Sequence, residues 1–215
     1  MQKITLFIDD REVKAPAGRP ILWLALENGI YIPNLCAVPG AEDPPAACRL
    51  CWVEVEGYPR PVTACTEPAR DGLVVRTRSP RVDRLVRAAF ELLLSAHRLE
   101  CSRCPKNRAC TLQEIARARR LPLRLVRYRK LARDLPVDNS SPAVRYDPGK
   151  CVLCGRCVRA CRREGTGILG FARRGYERRV TTFGEVPLAR AGCSGCGACA
   201  LACPVGALTL KTKSV

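Results

Sequence analysis

With 215 residues the chain has room for one large domain or two to three small ones, and 37 Lys and Arg against 20 Asp and Glu give it a formal charge of +17. No run approaches the ~18 apolar residues of a membrane helix, and the first 20 residues, broken by Asp9, Asp10 and Glu12, lack the apolar core of a secretory leader. A cytoplasmic chain is expected, in which 15 cysteines are not a disulfide framework and metal is the common reason for so much sulfur.

In chain order, residues 3–9 and 12–15 read as a hairpin around Asp10-Arg11. Residues 21–27 make a short helix, with Pro20 near its first position and Gly29 just past its end. Segments 52–56, 61–65 and 73–77 alternate as short strands. Threaded among them are Cys36, Cys48, Cys51 and Cys65, spaced C-x11-C-x2-C-x13-C. A plant-type [2Fe–2S] site has C-x4-C-x2-C and a distant fourth ligand; the longer first loop here closes at little extra entropy. Hairpin, helix, cysteine loop and strands describe a β-grasp [2Fe–2S] module over residues 1–78, with a zinc-stabilised small domain as the alternative.

Ser79 is placed to cap the next helix and Pro80 opens its first turn. Its apolar positions Val82, Leu85, Val86, Ala89, Phe90, Leu93 and Leu94 follow one buried face. The helix leads into His97, the single histidine, and into Cys101, Cys104 and Cys110. Three cysteines cannot close a four-iron cube, and every other cysteine belongs to another group. His97 is therefore the expected fourth ligand, with Glu100 and Ser102 as weaker alternatives. This helical module, residues 79–135, also carries Arg117, Arg119, Arg120, Arg124, Arg127, Arg129, Lys130 and Arg133 with no acidic residue between them. The run reads as a solvated face or as a docking surface for acidic partners. Tyr128 is its single aromatic, so the stacking platforms of nucleic-acid binding are absent and no nucleic acid is expected.

A polar turn at 138–142 is the expected linker to the last module, residues 136–215. Cys151, Cys154, Cys157 and Cys161 form a C-x2-C-x2-C-x3-C run, repeated by Cys193, Cys196, Cys199 and Cys203 ahead of Pro204. In two-cluster ferredoxins the fourth cysteine of each run serves the other cluster. The expected ligand sets are thus Cys151, Cys154, Cys157 and Cys203 for one [4Fe–4S] cluster, and Cys193, Cys196, Cys199 and Cys161 for another. Gly155, Gly195 and Gly197 fall inside the loops, where unusual φ values help. Segments 168–172 and 180–183 are plausible strands. Zinc sites pair separated C-x2-C knuckles and fit these runs poorly.

A β-grasp [2Fe–2S] module, His-x3-Cys-x2-Cys-x5-Cys and a double [4Fe–4S] module together resemble the amino-terminal electron-transfer region of the complex I and NAD-linked hydrogenase family. The segments that carry the likeness begin at Cys48 (CRLCWVEV), His97 (HRLECSRCPKNRACTLQ) and Ser140 (SSPAVRYDPGKCVLCGRCVRAC). The family includes the large iron–sulfur subunit of complex I, NAD-dependent formate dehydrogenase, and iron–sulfur subunits of NAD-reducing and electron-bifurcating hydrogenases. The resemblance implies an α+β chain with one [2Fe–2S] and three [4Fe–4S] clusters, relaying electrons between a flavin- and NAD(H)-binding partner and a catalytic subunit. Because the sequence ends soon after Cys203, it looks most like the small iron–sulfur subunit on the diaphorase side of an NAD-linked [NiFe] hydrogenase. A formate dehydrogenase, bifurcating or complex I-like assembly and a stand-alone ferredoxin-like carrier are the alternatives. Arg19-Pro20 departs from the family, which often shows a Thr cap there.

No G-x-G-x-x-G follows a strand and there is no P-loop, so flavin and NAD are expected on a partner, and no residue of this chain is expected to be catalytic. Loaded clusters carry net negative charge, which would lower +17 to about +10.

Overall fold

Apolar and polar residues alternate along β1 (Lys3–Ile8), which turns Ile4, Leu6 and Ile8 inward. Its partner β2 (Arg11–Pro16) turns in Val13 and Ala15. The pairing Ile8↔Arg11 places the hairpin turn at Asp9-Asp10, one residue earlier than the sequence suggests. Both aspartates have positive φ, 48° and 63°, as a two-residue turn of this hand requires. Asp9 is further held by its carboxylate, which accepts from the Thr77 amide at 2.7 Å and hydroxyl at 2.5 Å.

α1 (Ile21–Glu27) coincides with its sequence-predicted bounds. Pro20 has no side chain to cap it, and backbone takes over: Ile21 N–H donates to Glu67 C=O and Leu22 N–H to Ala64 C=O, both at 2.9 Å. Gly29, at φ 73°, ends the helix with the paired bonds Ile30 N–H to Ala25 C=O and Gly29 N–H to Leu26 C=O. β3 (Trp52–Val55), β4 (Val62–Thr63) and β5 (Val74–Arg76) complete a five-stranded sheet in the order β2-β1-β5-β3-β4. The β1–β5 pairing is parallel and the others antiparallel. Ile21, Leu22, Leu24 and Ala25 of α1 join Leu6, Ile8, Val53, Val55 and Val75 in one aliphatic core. This is the β-grasp arrangement expected for the cysteine loop.

The computed structural model describes residues 3–41, 43–131 and 135–211, and the chain divides into two units, Met1–Phe90 and Glu91–Val215. α2 (Pro80–Ala96) begins where expected, with the Ser79 hydroxyl accepting from Val82 N–H at 3.1 Å. Val82, Val86, Phe90 and Leu94 are its most deeply buried side chains.

The second unit contains α3 (Thr111–Arg119), β6 (Val144–Tyr146), α4 (Arg156–Glu164), β7 (Leu169–Ala172), β8 (Arg179–Thr182), α5 (Ala198–Ala202) and β9 (Leu208–Leu210). Among the described residues its strands form two-stranded sheets, β6 with β9 and β7 with β8, both antiparallel. Residues 138–142 are tied rather than loose. Asp138 bridges Tyr146 through backbone bonds and accepts from Leu188 N–H, while Ser140 Oγ accepts from Ala189 N–H.

The basic run does not form one continuous face. Arg119 is buried, Arg120 is the left-handed cap of α3 at φ 52°, and Arg127 reaches the buried Glu91 carboxylate at 2.8 Å. Arg117, Arg124, Arg129 and Lys130 are exposed, and Arg133 lies outside the described residues.

Gly29→Ala should cost about 1–2 kcal/mol, because a Cβ must be forced into the left-handed region. The expected readout is a lower denaturant midpoint for the Met1–Phe90 unit, with an unchanged slope.

Candidate iron–sulfur sites

In the first unit, Cys36, Cys48, Cys51 and Cys65 are all buried. They come together as two pairs. The Cys36 thiol lies 3.5 Å from Cys48 Sγ, and Cys51 bonds to Cys65. Within each pair, sulfur–sulfur hydrogen bonding holds one thiol protonated, Cys36 and Cys51, and favours the thiolate of its partner, Cys48 and Cys65. Two sulfur pairs suit two irons. An open cleft of about 860 Å³, lined by Pro20, Trp23, Pro39, Pro44 and Pro68, reaches Cys65.

In the second unit the two four-cysteine runs adopt one geometry twice. Gly155 at φ 78° and Gly197 at φ 76° stand at the N-termini of α4 and α5. The third cysteine of each run, Cys157 or Cys199, falls in the first helical turn. The fourth, Cys161, falls one turn later within α4, whereas Cys203 is the extended residue that ends the shorter α5. The sulfurs then mix between runs. Cys161, Cys193, Cys196 and Cys199 line one small cavity. Cys154 interacts electrostatically with Cys151 and Cys203, and Cys157 with Cys151, Cys154 and Cys203 and, more weakly, with Cys199. Gly165, just past α4, approaches Cys196 so closely that an added Cβ would lie 3.3 Å from its sulfur.

Cys101, Cys104 and Cys110 are likewise electrostatic neighbours. Cys101 opens a 3-10 turn, and Cys110 stands at the N-terminus of α3. His97 is 7% exposed, and its Nδ1 lies 2.9 Å from the Lys150 carbonyl. A carbonyl only accepts, so Nδ1 carries the proton and Nε2 keeps its lone pair. Burial lowers the His97 pKa, opposed by the bond to Lys150 and aided by the Lys150 and Arg98 charges. A neutral imidazole with its second nitrogen anchored is the form that ligates metal. Glu100, one of the alternatives, is instead engaged by Lys150 and Arg98 at 3.4 and 3.6 Å; Ser102 is exposed in the turn.

Several contributors were not legible from the sequence. Fully buried Ser141 places its hydroxyl 3.6 Å from Cys193 Sγ, and Leu153 N–H donates to Cys151 Sγ at 3.4 Å. The buried Tyr146 hydroxyl donates to Val180 C=O; burial raises its pKa, with nearby Cys151, Cys157 and Cys203 adding to the shift. Phe171 covers the Gly155 loop, 3.2 Å from where a Cβ would stand, and Arg178 stacks on its ring at 4.1 Å. Gly206 leaves room for Cys104, whose sulfur would be only 2.4 Å from an added Cβ. Of these, only Gly206 carried a local signal, being a glycine close after Cys203-Pro204.

The donor chemistry fits polynuclear iron. All fifteen cysteines are free thiols. Burial, and then repulsion from neighbouring thiolates, pushes Cys154 up to about 12 and Cys199 to about 11. Such crowding calls for bound positive charge. Among the described residues no three His, Cys, Asp or Glu side chains converge on a single metal ion. A four-iron cube asks for wider spacing, because each protein ligand binds a different iron.

These features define an iron–sulfur electron-transfer protein with several cluster-binding modules. Residues 1–80 match the 2Fe-2S iron-sulfur cluster binding domain, 87–120 the NADH-ubiquinone oxidoreductase-G iron-sulfur binding region, and 150–207 the 4Fe-4S dicluster domain. The chain is 36% identical over 219 residues to NADP-reducing hydrogenase subunit HndD of Solidesulfovibrio fructosivorans, covering 97% of this chain and 36% of that protein. It is 34% identical over 213 residues to NADPH-Fe(3+) oxidoreductase subunit alpha of Geobacter sulfurreducens, covering 97% and 24%. Identity to the mitochondrial NADH dehydrogenase [ubiquinone] iron-sulfur protein 1 of Solanum tuberosum is 33% over 214 residues, covering 97% and 28%. The chain thus spans between 24% and 36% of the length of these curated relatives. A chain in the crystal structure of an NAD+-reducing [NiFe]-hydrogenase in the H2-reduced state superposes with a TM-score of 0.87 and 31% identity, over 98% of this chain and 88% of that one. The protein belongs to the family of iron–sulfur electron-transfer subunits shared by NAD-reducing hydrogenases and the NADH-quinone oxidoreductases. No helix among the described residues is long and apolar enough to cross a membrane.

Gly206→Ala should displace Cys104 and lower the iron content per chain relative to wild type, read by metal analysis.

Proposed function

We propose that the chain carries four clusters in three modules, residues 1–78, 79–135 and 136–215, and relays electrons from a flavin- and NAD(H)-binding subunit to the catalytic subunit of an NAD-linked [NiFe] hydrogenase. The observation that carries the hydrogenase reading is the superposition on a chain of that enzyme with most of both chains covered. Cys36, Cys48, Cys51 and Cys65 would hold a [2Fe–2S] cluster, and His97, Cys101, Cys104 and Cys110 a [4Fe–4S] cluster. Cys151, Cys154, Cys157 and Cys203 would hold the second [4Fe–4S] cluster, and Cys161, Cys193, Cys196 and Cys199 the third.

The crossed sharing of Cys161 and Cys203 is supported by the cavity that Cys161 shares with the second run and by the neighbours of Cys154 and Cys157. His97 ligation is supported by its burial and by the proton fixed on Nδ1. The clusters would supply one-electron redox capacity. The chain's own residues supply spacing, insulation and hydrogen bonds to sulfur, such as Leu153 N–H to Cys151. Cys196 is the cysteine most open to solvent, which suits electron exchange with a partner at that edge.

The relatives are named for more than one reaction, NADP-reducing hydrogenase and NADPH-Fe(3+) oxidoreductase among them, so the pyridine nucleotide and acceptor are read from the assembled complex. Native mass spectrometry of the purified assembly, with metal analysis, is the deciding measurement. About 14 iron atoms on this chain, together with nickel in a partner, are expected. Molybdenum or tungsten without nickel would move the assignment to formate oxidation, and a monomer without partners to a free carrier. A colourless chain stoichiometric in zinc would overturn the iron–sulfur reading itself.

His97→Cys should lower the midpoint potential of one [4Fe–4S] cluster, because an anionic thiolate replaces a neutral imidazole. Redox titration followed by EPR checks this; unchanged midpoints for every cluster would remove His97 from the ligand set.

Chelating the iron should unfold most of residues 136–215, since two-stranded sheets are marginal without a bound group. Amide hydrogen exchange is expected to show protection lost there and retained in the five-stranded sheet.

A further inference from the structure

Residues 147–150, with Arg98, Glu100 and Arg145, form a charge cluster that the relay described above leaves without a role. Lys150 is 4% exposed and Asp147 only 1%. Asp147 Oδ1 accepts from Arg98 Nη2 at 2.5 Å. The other Asp147 oxygen lies 3.7 Å from Arg145 Nη1 and 3.8 Å from Lys150 Nζ. The ammonium is also 3.4 Å from Glu100 Oε2, which in turn is 3.6 Å from Arg98 Nε. Among these five groups cations outnumber carboxylates three to two, and Lys150 is the most buried cation.

Lys150 touches both sites on either side of it. Its carbonyl holds the His97 imidazole, and the next residue is Cys151. Its side chain and Cys104 converge on Gly206: an added Cβ there would lie 3.8 Å from Lys150 Cδ and 2.4 Å from Cys104 Sγ. Pro204, next to Cys203, accepts from the amide of Thr111, next to Cys110, at 2.9 Å. The Lys150 stem therefore runs where the His97 group of ligands meets the Cys151 group. Its ammonium points to Glu100, which precedes Cys101.

We propose that Lys150 is a redox-positioning residue: its buried cation raises the reduction potential of both neighbouring clusters, and more strongly that of the His97 site. This role rests on the ligand sets proposed above for His97 and Cys151. Adding an electron makes an anionic site more negative, and a nearby fixed cation in a poorly screened interior favours that step. An aliphatic side chain would fill the same space without the cost of burying an ammonium. Asp147 and Glu100 set how much of the cation the clusters experience. Asp147 balances it from the interior, and the half-exposed Glu100 from the solvent side.

The test is an anaerobic redox titration of the cluster-loaded full chain, followed by EPR. Lys150→Met should shift the midpoint of the cluster assigned to His97 to more negative potential, with a smaller shift of the same sign at the Cys151 site. Lys150→Arg should restore the wild-type values. Arg174→Gln, which removes an exposed cation, should leave both midpoints in place. Should Lys150→Met fail to assemble, Glu100→Gln gives the opposite sign, a positive shift at the His97 site, at a position where burial does not threaten folding. Unchanged midpoints in Lys150→Met, equal shifts in the Met and Arg variants, or a negative shift in Glu100→Gln would each overturn the proposal. Absence of a histidine-ligated cluster from the wild-type spectrum would instead reject the ligand assignment, so the two failures are distinguishable.

Discussion

Crowded sulfur governs this protein. Fifteen thiols, most of them buried, are gathered in four groups, and burial together with repulsion from neighbouring thiolates disfavours the ionised state of Cys154, Cys157 and Cys199. Iron bound as proposed would relieve that conflict by giving the thiolates a cation. The surrounding chain is organised around that need. Tight glycine turns bring backbone close to sulfur, short helices place successive cysteines one turn apart, and the Phe171 ring packs over the Gly155 loop.

The two units solve the folding problem differently. Met1–Phe90 closes an aliphatic core between a five-stranded sheet and α1, and the cysteine loop lies on that scaffold. Glu91–Val215 has only paired strands and short helices, yet it carries eleven of the fifteen cysteines and the histidine. Long-range ties compensate in part. Asp138 and Ser140 clamp the turn at 187–189, His97 grips Lys150, and Thr111 bonds to Pro204. Each tie joins segments that carry different cysteine groups.

Local signals in the sequence were enough for α1, for the start of α2 and for the glycine turns of the two cysteine runs, but not for α3, β6 or β9. Pro20 and Gly29 bracket α1, Ser79 caps α2, and cysteine spacing organises both loops of the double module, because each depends on residues a few positions apart. The hairpin turn moved by one residue because Asp9, as well as Asp10, takes up a left-handed conformation that Thr77 reinforces from the end of the neighbouring strand β5. Within the largely exposed basic run, two structural positions were not foreseen. Arg119 and Arg127 are structural, and nothing in their neighbourhood announces that Glu91 lies 36 positions away. Lys150 and Ser141 were silent for a like reason, since their partners His97 and Cys193 are 53 and 52 residues distant.

The uneven reliance on metal links this chain to the nutritional state of the cell. A unit that encloses its own aliphatic core between a sheet and a helix can persist when iron is scarce, whereas one with paired strands and short helices would stay open to proteases until the proposed clusters were delivered.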